Sequence, residues 1–422
     1  MRHVFRRQRR LLLLGGVLAA AMLSAPLLTP SARAAEPIKI GFGMALTGGL
    51  AGAGKAALIA MEIWRDDVNA AGGLLGRQVE LVYYDDQTNP STVPGIYTKL
   101  MNVDKVDLVV SGYGTNLIAP AMPIMMSRKK LFMGLFGLAA NEQFGYSNYF
   151  QIMPAGPEPK TDWSLGFFQI AMEQNPKPKT VALVGADAEF ARNALDGARE
   201  NAKAAGLEIV YDNTYPPATT DYTPVVRAIQ ATGPDVVFIA SYPPDSAGMV
   251  RAINEVGLKA KLLGGGMVGL QYASLMTKLG PMLNGIVNYD FWVPAPTLNF
   301  QGVNEFLAKY QAKAADAGVD PLGYYLPPYA YAYLQVLGQA VNAVGNLDDQ
   351  KLADYIRANE FDTVVGKVRF GKNGEWAKTR VLQVQYQGVK SDDLEQFTKH
   401  GTRAVLYPKE WKYGDLIYPY AQ

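Results

Sequence analysis

The chain has 422 residues, with 40 Lys and Arg against 38 Asp and Glu, two histidines and no cysteine. The missing cysteine excludes disulfides, thiolate nucleophiles and cysteine-based metal sites, and the length suffices for two domains with separate cores. Six arginines and no acid fall in residues 1–34, so the remainder carries 34 basic and 38 acidic groups, a net charge of −4, and no basic patch that would recruit nucleic acid.

The predicted elements begin with a leader. Arg2, Arg6, Arg7, Arg9 and Arg10 precede an apolar run at 11–23, and Ala32-Arg33-Ala34 offers the small residues a signal peptidase reads. This is a secretory pattern, a signal peptide at 1–34 cleaved after Ala34. The run is too short for a span of about 20 residues. Arg9-Arg10 also fits a twin-arginine signal; the plain secretory form is the simpler expectation.

Beyond the leader, strand-like and helix-like segments alternate. Residues 38–42 read as a strand, and Leu58, Met61, Trp64 and Val68 recur at helical spacing. Gly72-Gly73 stops that helix. Residues 79–84 form a second strand ending at Asp85-Asp86, followed by a helix with Pro94 in its first turn. Residues 106–110 form a third, almost wholly apolar strand, as burial on both faces requires. The basic cluster Arg128-Lys129-Lys130 suits a helix end. The pattern restarts at 181–185, with Asp187 placed to cap the next helix. The stretches 207–212 and 234–238 echo 79–85 and 106–110. Two α/β lobes with parallel sheets follow. The tail beyond Gly388 has little helical period and is expected to pack as extended structure on one lobe.

The inventory argues against an enzyme. Behind the leader only His400 remains, which leaves no partner for a histidine-based triad or metal site. Gly41-x-Gly43 lacks the third glycine of a dinucleotide fingerprint, with Leu46 in that place, and Gly264-Gly265-Gly266 is not followed by Gly-Lys-Ser/Thr. Asp85-Asp86 could serve as an acid-base pair, but adjacent strand-end residues face opposite ways, and a solvated loop is the plainer reading. An exported hydrolase using Asp85 and Asp187 stays open as an alternative. Binding fits better: ligands sit beyond the carboxyl ends of strands in open α/β sheets, and here those ends run into 111–116 and 137–141, both rich in small residues.

The sequence resembles the branched-chain amino-acid (Leu/Ile/Val) binding proteins of ABC transporters. The resemblance rests on Ile38-Lys39-Ile40-Gly41, Leu46-Thr47-Gly48-Gly49, Asn69-Ala70-Ala71-Gly72-Gly73-Leu74-Leu75-Gly76 and Tyr84-Asp85-Asp86-Gln87-Thr88-Asn89-Pro90, and covers roughly 38–388. It implies a type I periplasmic-binding-protein architecture, two Rossmann-like lobes joined by three crossings that close on a ligand by hinge motion. The lobes would be 35–154 with 288–365 and 155–287 with 366–388, and 389–422 an extension. The implied role is the periplasmic solute receptor of an ABC importer, a monomer that meets a small-molecule ligand and a membrane permease and carries no cofactor or metal. A ligand sensor of the same fold is the alternative.

Carried over residue by residue, the ligand-carboxylate contacts fall on Thr115, with Asn116 beside it, and on Ala139 and Ala140. The closing aromatics of the second lobe fall on Phe190 and Tyr242. The acid that grips an α-ammonium falls on or beside Gly266, where no carboxylate stands. Trp292 and Tyr113 are added as flat walls. The departure at Gly266 points away from a free α-amino acid and toward an aromatic or hydrophobic carboxylate, because an unpaired buried charge is costly. For the leader, N-terminal sequencing of exported protein is expected to begin after Ala34; material that retains Arg2 to Arg10 contradicts this.

Overall fold

The computed structural model describes residues 36–420, so the signal peptide expected at 1–34 lies outside the described residues. Among the described residues no helix is long and apolar enough to cross a membrane.

The first sheet contains β1 (Ile38–Met44), β2 (Val79–Asp85), β3 (Leu108–Tyr113), β4 (Phe132–Leu135) and β5 (Tyr149–Gln151), ordered β2-β1-β3-β4-β5. All its pairings are parallel. The second sheet begins with β6 (Thr180–Ala186), β7 (Glu208–Tyr215), β8 (Val236–Ser241), β9 (Leu262–Met267) and β10 (Val287–Asp290), again parallel. A separate hairpin joins β11 (Glu360–Thr363) to β12 (Gly366–Arg369). Two antiparallel strands, β13 (Leu382–Tyr386) and β14 (Arg403–Tyr407), then complete the second sheet in the order β14-β13-β10-β9-β8-β6-β7. Every residue of β3, β8 and β9 is buried, whereas the edge strands β2 and β7 are largely half-exposed or exposed. This is the burial that helices on both faces of a parallel sheet impose.

The chain crosses between the sheets three times. It leaves β5 and enters the helix Pro159–Met172, which packs on the second sheet. It leaves β10 and returns to the helices Val303–Ala317 and Pro327–Val344, which pack against the helix Ala51–Ala70 of the first lobe. It leaves the hairpin and enters β13. The sequence-based boundaries shift accordingly. Residues 288–290 belong to the second sheet, and the hairpin straddles the boundary expected at 365/366. Segment 389–422 supplies the edge strand β14. The third strand runs to Tyr113 rather than ending at residue 110. The expected cap also differs: Ala188 is the cap residue of the helix Glu189–Ala204, and Asp187 pairs with Arg192 at 2.7 Å.

Buried charge is concentrated away from the lobe surfaces. Arg403 on β14 lies 3.6 Å from Asp290 at the end of β10, both almost fully buried. Burial pushes the Asp290 carboxyl up to about 6, against the pull of Arg403. Asp85 and Asp86 do not form the solvated loop expected. The Asp85 carboxylate accepts the N–H groups of Leu46, Thr47 and Gln87 and the Thr47 hydroxyl. Asp86 is buried, accepts the Thr88 N–H at 2.9 Å, and is raised to about 6 by burial and by the charge of Asp85.

An acid that titrates near 6 when folded and near 3.9 when unfolded holds its proton more tightly in the folded chain. Its contribution to stability is therefore full below pH 4 and lost as pH rises through 6. Asp86→Asn, which keeps an acceptor for Thr88, is expected to stabilise the chain at pH 7.5 by about 1–3 kcal/mol and to lose that advantage toward pH 4. Denaturant melts of both proteins across this range check it; equal stability of both at pH 7.5 contradicts it.

Candidate functional site

A cleft between the two sheets is lined by Leu50, Tyr113, Gly114, Thr115, Asn116, Phe136 and Met153 from the first lobe and its exit, by Trp163, Phe190, Tyr242, Val268 and Tyr289 from the second, and by Tyr325. These residues sit where the parallel strands end: Tyr113 closes β3, Tyr242 follows β8 and Val268 follows β9. Gly114 turns the chain out of β3 with φ of +101°, a conformation that costs a glycine little.

Buried carboxamides shape the walls. Gln151, at the end of β5, accepts the N–H groups of Phe136 and Met153 and donates to Gly137 O and the Tyr149 hydroxyl. It thereby braces Phe136, a lining residue whose φ of +60° is unusual for a bulky side chain. Asn288 exchanges two hydrogen bonds of 2.9 Å with the Met267 backbone and fixes the turn that presents Val268. Trp163 lies across β9: a Cβ on Gly266 would stand 2.9 Å from its ring. The same ring packs against Tyr289 at 4.5 Å and Phe190 at 5.5 Å between centroids.

The lobes are joined across this cleft by polar contacts. Asn116 Oδ1 accepts the Tyr242 hydroxyl at 3.0 Å and the Phe190 N–H at 3.3 Å. Asn193 donates to Leu138 O at 2.9 Å, and Lys160 pairs with Glu142 at 2.6 Å. The enclosed cavity is about 30 Å³, whereas a cavity that takes benzene measures about 150 Å³. Any ring-bearing ligand must hold the lobes further apart than they stand here.

Among the described residues, no lining side chain carries a formal charge. Burial pushes the Tyr113, Tyr289 and Tyr325 hydroxyls up, so they remain protonated donors at neutral pH, and those of Tyr289 and Tyr325 meet at 2.9 Å. Thr115 Oγ1 accepts the Leu138 N–H at 3.0 Å, which engages a lone pair and not the O–H. Trp163 is 1 % exposed and its Nε1–H has no partner. The cleft thus offers neutral donors between aromatic walls.

The structure brings Tyr113, Thr115, Asn116, Phe190 and Tyr242 together in this lining and leaves four expected residues outside it. Ala139 and Ala140 are buried in the turn after β4, where the Ala140 N–H is spent on Gly137 O. Gly266 lies beneath the Trp163 ring. Trp292 donates its Nε1–H to Leu298 O and packs on Tyr324, so it is part of the second crossing's core. Asp85 and Asp187, considered for hydrolysis, are also outside the lining. Trp163, Phe136, Tyr289 and Tyr325 were missed. Tyr289 and Tyr325 lie in a stretch after Gly285 that also holds Phe291, Trp292, Tyr324 and Tyr329, and that density of aromatic residues is the sequence signal that could have found them.

A family model described as periplasmic binding protein matches residues 37–391. The Leu/Ile/Val-binding protein homolog 8 of Brucella suis is 26% identical over 391 residues, covering 90% of this chain and 94% of its own length. Two solved structures share the fold. The branched-chain amino acid transporter substrate binding protein of Streptococcus pneumoniae, in complex with isoleucine, has a TM-score of 0.71 at 20% identity, over 88% of this chain and 100% of that one. A solute binding protein of an ABC transporter from R. palustris, in complex with benzoate, has a TM-score of 0.71 at 18% identity, over 84% and 94%.

If Asn116 latches the lobes, Asn116→Ala removes two cross-lobe hydrogen bonds, a loss of about 1–3 kcal/mol. The expected outcome is a larger radius of gyration by small-angle scattering with the melting temperature little changed; an unchanged radius contradicts it.

Proposed function

The chain belongs to the periplasmic binding protein family, and on that footing we propose that it is the exported solute receptor of an ABC importer, closing its lobes on an aromatic or hydrophobic monocarboxylate and presenting the closed form to the membrane permease. The leader at 1–34 supports export, and the family's role supports a monomer that delivers ligand and performs no catalysis.

The ligand class rests on one observation: a lining without formal charge that holds an unspent buried donor, Trp163 Nε1–H. An α-ammonium enclosed here would have no anion, and leaving a charge buried and unpaired costs several kcal/mol, about 3–5 when a buried pair is broken. Of the acids close in sequence to lining residues, Asp162 accepts the Glu158 N–H at 3.0 Å, Asp245 accepts the Tyr215 hydroxyl at 2.5 Å and Asp290 faces Arg403, while Glu189 lies outside the lining. A carboxylate fares better, because neutral donors directed at it favour its charged form. Thr115 O–H, Trp163 N–H and the tyrosyl hydroxyls supply them, and Phe136, Phe190 and the Trp163 ring supply flat apolar surface. Relatives of this fold are in complex with isoleucine and with benzoate; the uncharged lining favours the second kind.

Calorimetric titration with benzoate and with leucine tests the assignment. Benzoate is expected to bind and leucine not. Trp163→Phe and Thr115→Val are each expected to weaken benzoate about 10- to 100-fold, the loss of one hydrogen bond to a charged partner at about 1.5–3 kcal/mol. Binding of leucine without benzoate contradicts the assignment.

A further inference from the structure

We propose a second ligand site, in a groove at the hinge, that takes a flat organic monocarboxylate on Arg380. The groove encloses about 950 Å³ and is separate from the interlobe cleft, sharing no lining residue with it. Its volume lies in the range typical of small-molecule sites, about 300–1,000 Å³.

All three crossings meet there. Phe300 comes from the second, Trp376 and Arg380 from the third, and the Arg380 N–H donates to Pro154 O of the first at 2.9 Å. Trp411 comes from the segment after β14 and packs on Phe300 at 5.6 Å. The C-terminal segment, which lies outside the family pattern, thus completes a wall of this groove.

Arg380 is unusual among the cations of the groove. Lys309, Lys367 and Lys378 are exposed and pair with Asp67, Asp362 and Glu410 at 2.6–3.0 Å, and Arg369 is exposed to solvent. Arg380 is only 7 % exposed, and among the described residues no carboxylate lies within ion-pair distance of it. Its guanidinium lies over the Phe300 and Trp376 rings, 4.8 Å from each centroid, and Nη2 donates to the Tyr329 hydroxyl at 3.2 Å. Its Nε–H has no partner, nor do the Nε1–H groups of Trp376 and Trp411. A buried cation without an anion is a costly arrangement. A guanidinium matches the fork of a carboxylate, and the surrounding rings match a flat apolar body. The acids along the rim, Asp362 and Glu410 among them, oppose a multiply charged anion. The site is therefore fitted to one carboxylate on a planar frame, and a ligand there bridges the segments about which the lobes turn.

The test follows the indole N–H resonances of protein labelled with ¹⁵N-tryptophan, assigned by single Trp→Phe substitutions. The probes are 4-fluorobenzoate and its uncharged counterpart 4-fluorobenzamide. The Trp376 and Trp411 signals are expected to shift saturably with the benzoate and not with the benzamide, and Arg380→Gln to raise the half-saturation concentration at least ~10-fold. The Trp163 signal reports the interlobe cleft separately, so failure of either site is visible on its own. Signals of Trp376 and Trp411 that stay still, or that move equally with both probes, overturn the proposal. Should Arg380→Gln not fold, the comparison of the two probes on the unsubstituted protein decides.

Discussion

A closed cleft with no formal charge must satisfy its polar groups from neutral side chains alone, and much of the molecule is arranged around that condition. The Asn116 carboxamide does so across the lobes, taking the Tyr242 hydroxyl and the Phe190 N–H on one oxygen. Gln151 and Asn288 do so within each lobe, tying the strand ends that carry Phe136, Met153 and Val268. Charge is kept behind the lining. Asp290 faces Arg403, and Asp245 holds the Tyr215 hydroxyl. Trp163 Nε1–H is the exception, a buried donor with no partner in the closed form, and a donor left unpaired is worth most to a ligand that satisfies it.

The fold was legible because parallel sheets advertise themselves. Strands buried on both faces must be nearly all apolar, and the stretches at 106–110, 181–185 and 234–238 are. The helical spacing of Leu58, Met61, Trp64 and Val68 fell on the helix Ala51–Ala70. Local details were harder. Asp187 has the chemistry of a cap and sits one residue too early, where Arg192 takes its carboxylate. Asp86 reads as a surface acid beside Asp85, yet the turn buries it, and nothing in a pair of adjacent aspartates distinguishes the two.

The lining of the candidate cleft was legible where the chain itself marks it. Thr115 and Asn116 follow a strand end, and Phe190 and Tyr242 flank helix starts of the second lobe. Trp163 and Tyr325 were not legible, because each enters the cleft from a helix or crossing distant in sequence from any strand end. Gly266 was read as the place of a missing acid. In the structure the Ile239 carbonyl and the Trp163 ring each stand 2.9 Å from where a Cβ at 266 would sit.

On the proposed assignment, this neutral cleft selects a carboxylate that bears no ammonium. Mass spectrometry of the small molecule released on denaturing freshly purified exported protein tests it most directly. The expected species is an aromatic or hydrophobic monocarboxylic acid without an amino group. Recovery of leucine, isoleucine or valine at one molecule per chain would contradict it.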